Sequence, residues 1–168
     1  FSSMENGRSQ VLVWSFAKKS YRPWSGQADH QDSSPCWTPD SQGLVVCRDG
    51  SKLVLLNRGG EEVLVTCEQG WNAAPDVSPD GKSMVFMSNR DGTPEIYRFD
   101  FSSKRVSRLT TGSLYSGHCR FSRDGHRVLY TSRGLDGSSR AYSMNPDGTH
   151  PVALSPEDCR VESAEWIP

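Results

Sequence analysis

Ten side chains of this sequence have the chemistry of a recognition surface: Asp32, Trp71, Asn72, Arg90, Asp91, Tyr115, His118, Arg133, Asp136 and Glu162. Aromatic rings supply flat apolar anchors, and arginines beside carboxylates supply charge-assisted hydrogen bonds. His30 and His118 raise the question of a metal. Two histidines fall short of the three or more protein groups that a site usually needs, so neither a metal nor a cofactor is expected. The run Gly112-Ser113-Leu114-Tyr115-Ser116-Gly117 lacks the spacing of a nucleophile elbow, and no phosphate-binding glycine loop is present. No residue is therefore assigned a catalytic role. Asp40, Asp80 and Asp124 recur at one place in successive segments and read as turn residues, not as paired catalytic carboxylates.

The elements that must position these residues come from a repeat. The segments 35–40, 75–80, 119–124 and 164–168 fall into register, and their large apolar residues Trp37, Val77, Phe121 and Trp166 recur after 40, 44 and 45 residues. A period of that length marks a solenoid or propeller, because one such unit cannot bury its apolar face alone. Within the unit around Ser78-Pro79-Asp80-Gly81, residues 83–88, 95–100 and 106–110 are strand-length runs rich in β-branched and aromatic residues. Turn residues separate them: proline sets φ, aspartate bonds back to the chain, and glycine takes a positive φ. The unit at 121–155 matches, while the preceding unit within 31–70 is more worn, with Ser41 in place of the glycine. No stretch has a sustained helical period.

Four antiparallel strands per unit make the blade of an all-β propeller. The expected division is a partial blade at 1–30, blades at 31–70, 71–114 and 115–160, and the first strand of another blade at 161–168. Residues 1–7 align on 86–92, and 11–15 on 96–100, with one offset of 85. Either Trp166 completes the blade begun by Phe1 and closes four blades, or the chain is part of a larger ring of about six to eight. The larger ring is favoured. One mouth of the channel is then lined by the blade-to-blade connections 26–34, 68–74, 111–118 and 156–163. The turns 48–51, 89–94 and 133–139 join them there, and these segments carry all ten candidate residues.

Nineteen Lys and Arg balance 20 Asp and Glu, so no nucleic-acid partner is expected, and the apolar runs are strand-sized, so no membrane insertion is either. Five cysteines (Cys36, Cys47, Cys67, Cys119, Cys159) show no zinc-type spacing. A tight hairpin at 39–42 would set Cys36 and Cys47 opposite each other, as a bridge or as two small buried apolar groups; the second is preferred.

The stretch Ser78-Pro79-Asp80-Gly81-Lys82, Met84 to Gly92, Glu95-Ile96-Tyr97 and Arg108-Leu109-Thr110 resembles the PD40 (WD40-like) repeat of the TolB-like propellers. The resemblance covers nearly the whole chain. It implies a non-catalytic, TolB-like scaffold whose channel mouth binds a protein or peptide. It also implies a periplasmic or extracellular place and membrane association through a lipoprotein partner; the five cysteines leave a cytoplasmic one open. Similar repeats build the propellers of prolyl oligopeptidase-type serine peptidases, whose catalytic domain would lie outside this chain, and of metal-dependent carbohydrate lyases. These are the alternative functions.

Overall fold

A computed structural model describes residues 1–5, 8–24, 30–58, 62–66 and 70–167. The first sheet holds β1 (Ser2–Glu5), β2 (Arg8–Ser15) and β3 (Ser20–Pro23). The second holds β4 (Asp32–Trp37), β5 (Gly43–Arg48), β6 (Lys52–Asn57) and β7 (Glu62–Thr66). The third holds β8 (Asn72–Val77), β9 (Ser83–Ser88), β10 (Glu95–Asp100) and β11 (Val106–Arg108). The fourth holds β12 (Tyr115–Phe121), β13 (Val128–Arg133), β14 (Ser139–Met144) and β15 (Val152–Ala153). Each is an antiparallel meander in chain order, and the described residues contain no helix.

Local chemistry explains the hairpins. Ser78 Oγ donates to Asp80 Oδ1 at 2.6 Å, and that oxygen also accepts the Lys82 N–H at 3.0 Å. The same closure recurs with Thr38, Asp40 and Gln42, and with Ser122, Asp124 and His126. The Asp40, Asp80 and Asp124 carboxyls are each held below the ordinary value, first by the hydroxyl two residues earlier. Gly81 and Gly125 take φ of +70° and +73°, and Ser41 is forced to +57° in their place.

The cores lie between sheets. Val45, Cys47, Leu53, Val77, Met84, Phe86, Tyr97 and Phe99 interdigitate between the second and third. Val85, Ile96, Cys119, Phe121, Val128, Tyr130 and Met144 do so between the third and fourth. This is why β5 and β9 are buried along their whole length and read as continuous apolar runs, while β11 and β15 are exposed edges. Polar links add to the packing. Asp76 accepts the Phe121 N–H at 2.7 Å and the Cys36 thiol at 3.6 Å, and Arg120 lies 3.7 Å from Glu165. Cys36, Asp76, Arg120 and Glu165 are spaced by 40, 44 and 45 residues, so they hold one register position in successive segments.

Two features differ from the sequence-based expectation, and a third agrees with the larger ring it favoured. First, the innermost strands begin earlier: residues 32–34, 72–74 and 115–118, expected as connections, are in β4, β8 and β12. Their register to the neighbouring strand shifts between Ser33 and Cys36, Ala73 and Asp76, and Gly117 and Arg120. Ser34, Ala74 and His118 take φ of +49°, +48° and +51° at these β-bulges. Second, the bulge breaks the simple hairpin register, so Cys36 faces Val45 and Cys47 faces Ser33. Both thiols are free. Third, among the described strands none of the first sheet touches the fourth, so the sheets form an open arc, not a closed four-blade ring. The register of β1 on β2 is nevertheless that of β9 on β10 after a shift of 85 residues.

Candidate functional site

The face opposite the Asp-closed turns is assembled by one recurring hydrogen bond. The Asn72 N–H donates to Gly50 O at 3.0 Å, Ser116 to Pro94 O at 2.8 Å, and Val161 to Ser139 O at 2.9 Å. Each link spans 22 residues and ties the start of an innermost segment to the second turn of the preceding sheet. Val161 therefore occupies the place of Asn72 and Ser116, five residues before Trp166, as they precede Val77 and Phe121. Residues 161–167 form no strand; Trp166 Nε1 anchors them by donating to Arg120 O at 3.2 Å.

Polar residues brace this rim at the first rung of the second, third and fourth sheets. Asp32 is 2 % exposed, and both its oxygens accept from Arg48, at 2.8 and 3.0 Å. Arg48 also grips Glu62 at 2.5 and 3.0 Å, and these two carboxylates hold its guanidinium more firmly protonated than usual. Asp32, expected to meet a ligand, is spent inside the sheet. Asn72 is also buried: its amide donates to Ser51 O and its Oδ1 accepts from Arg90 at 3.1 Å. In the fourth sheet Ser113, Ser116 and Ser132 form a hydroxyl chain.

The remaining candidates divide by exposure. Arg90 lies over the Phe86 and Tyr97 rings at 5.1 and 5.0 Å. Asp91 accepts the Tyr97 hydroxyl at 2.8 Å; burial and then that carboxylate push the phenol up to about 12. Arg108 joins Asp91 to the fully buried Glu95, which also accepts from Thr110. Asp136 closes its own turn by accepting from Ser138, as Asp80 does from Ser78. Trp71 stands half-exposed, with its backbone N–H donating to Asn89 Oδ1 at 2.8 Å.

Tyr115, His118, Arg133 and Glu162 line one cleft of about 490 Å³, together with Thr131, Ser139, Arg160 and Val161. The His118 ring is 3.4 Å from Thr131 Oγ1. His30 is elsewhere, 3.0 Å from Asp49 in the second sheet, and the described residues contain no group of three or more His, Cys, Asp or Glu suited to a metal. Cys67 and residues 26–29 and 68–69 of the expected mouth lie outside the described residues.

The sequence reading missed Arg48, Thr131 and Arg160. Arg160 had a signal: the spacings of 44 and 45 that relate Val77, Phe121 and Trp166 also carry Trp71 onto Tyr115 and Arg160. Arg48 had none, because its burial depends on Asp32 and Glu62 closing over it from 16 and 14 residues away.

Successive four-stranded antiparallel sheets, packed face to face around an arc with turns gathered at one mouth, define a β-propeller. The chain belongs to the TolB beta propeller domain family, which matches residues 1–168. It is 28% identical over 104 residues to an uncharacterised protein of Agrobacterium fabrum, covering 60% of this chain and 36% of that protein. It is 31% identical over 85 residues to a TolB homolog of Chlorobium luteolum, covering 51% of this chain and 20% of the homolog. Among solved structures, the putative TolB from Agrobacterium tumefaciens superposes with a TM-score of 0.80 at 25% identity, over 92% of this chain and 59% of that one. The chain thus spans between a fifth and about a third of the length of these curated relatives, and its arc is that of a larger propeller.

Proposed function

We propose that the chain is a non-catalytic part of a TolB-like propeller that binds a protein or peptide at its mouth, in a periplasmic or extracellular setting. One observation carries this reading: the backbone repeats on both faces, but the side chains repeat on only one. The turn face presents the same aspartate closure at Asp40, Asp80 and Asp124. At the mouth, aligned positions carry Gln31, Trp71, Tyr115 and Arg160, and the bulges carry Ser34, Ala74 and His118. A rigid frame with varied, partly exposed groups is how a repeat fold builds a recognition surface. The family likeness supports a lipoprotein as the partner that brings it to a membrane.

A photo-reactive amino acid at Trp71, compared with one at Asp80 on the turn face, tests this in the native cells with the natural gene product. Protein adducts formed from position 71 and not from position 80 are expected. Adducts from neither position, or from position 80 alone, would overturn the reading.

A further inference from the structure

We infer that the cleft between the fourth sheet and residues 160–162 is a pocket for a carboxylate side chain of a polypeptide partner. The inference rests on the mouth-binding reading and names what one part of that mouth takes.

The internal repeat supplies the argument. The equivalent recess one sheet earlier is filled by the chain itself. A Cβ built on Gly117 would collide with the Tyr115 ring and would lie 2.7 Å from Met87 Sδ, so the phenol lies folded over Gly117 against Met87. Every member of that recess changes at the next position. Arg160 stands where Tyr115 stood and Glu162 where Gly117 stood, while His118 replaces Ala74, Thr131 replaces Met87 and Arg133 replaces Asn89. A recess closed by an aromatic ring thereby becomes an open cleft of about 490 Å³ lined by cations and hydroxyls.

Its shape and charge specify the occupant. The earlier recess accepts one side chain, and the open one has room for a side chain with its flanking backbone. Arg133 and Arg160 are both exposed, and neither guanidinium has a partner among the described residues. Against the single carboxylate of Glu162 they leave the cleft positive. Planar guanidinium forks match a carboxylate in two-point geometry, and the Thr131 hydroxyl and His118 ring add hydrogen-bonding groups beside them. A glutamate or aspartate of a bound chain therefore satisfies the groups left open among the described residues.

The test uses a fluorescein-labelled, C-terminally amidated peptide of alternating Glu and Ala, its Gln counterpart, and unlabelled trigalacturonate as competitor. Anisotropy at 50 mM NaCl is expected to show the Glu peptide binding about tenfold more tightly than the Gln peptide. R133Q and R160Q are each expected to weaken the Glu peptide about tenfold while leaving Tm unchanged. Equal affinity for the two peptides, no binding of either, or binding indifferent to both substitutions would overturn the inference. Tighter binding of trigalacturonate than of the peptide would overturn it too, in favour of an acidic sugar. If a partner still crosslinks at position 71 in the R133Q/R160Q protein with unchanged yield, the pocket is refuted and mouth binding stands. Loss of crosslinking at position 71 in the otherwise unaltered protein refutes mouth binding itself.

Discussion

Replacing Arg48 by methionine removes the cation that two carboxylates grip through four contacts, and the structure sets the size of the loss. Asp32 is 2 % exposed, and among the described residues Arg48 alone reaches its two carboxylate oxygens, at 2.8 and 3.0 Å. Removing one member of a buried pair strands the other charge, at a cost of about 3–5 kcal/mol. The contact to Glu62 adds little, since that side chain is 51% exposed and water takes over its solvation; about 0–1 kcal/mol is expected there. The sum corresponds to a fall in Tm of about 10 °C for a chain of this size. The double substitution Arg48→Met with Asp32→Leu removes both charges, and most of the loss should return, to within about 1 kcal/mol of the parent. Urea denaturation of the parent, both single variants and the double variant closes the cycle. A cost below about 1 kcal/mol for Arg48→Met, or a double variant no better than the single, would refute the reasoning that burial makes this pair.

Three further outcomes are expected. Ser41→Gly should raise the urea midpoint, by about 0.5–1 kcal/mol of stability, because Ser41 sits at φ +57° where the aligned positions use glycine; a destabilised variant would contradict the turn geometry. Gly117→Ala should cost about 1–3 kcal/mol and shift the Tyr115 ring resonances, since the added methyl meets the phenol and Met87. Asp76 has its carboxyl raised from 3.8, chiefly by burial, so the folded state holds its proton to higher pH than the unfolded state does. Its ionisation then weakens the fold as pH rises above about 4, and Asp76→Asn should gain on the parent as pH is raised from there; a pH-independent difference in urea midpoint would contradict this.

The parts of the fold legible in the sequence are those whose signals are local. Ser78, Asp80 and Gly81 close a turn within five residues, and β9 declares itself as an uninterrupted apolar run because both its faces are covered. The first sheet was legible through its 85-residue offset, since the β1–β2 hairpin repeats the β9–β10 pairing. The beginnings of β4, β8 and β12 were hidden because an αL bulge at Ser34, Ala74 and His118 resets the alternation in mid-strand. At the site, residue types were legible but their duties were not. Asp32 and Asn72 look like ligand groups until Arg48 and Arg90 are seen to take them. Tyr115 looks like a free anchor until Gly117 lets it fold inward.

Amide hydrogen exchange, on the protein alone and with the partner captured at position 71, tests most directly whether the mouth is the recognition face. The expected result is slowed exchange at 71–74, 89–94, 115–118 and 160–162, with the turns at 38–43, 78–83 and 122–127 unchanged. Slowed exchange at those turns, with the mouth segments unaffected, would contradict it.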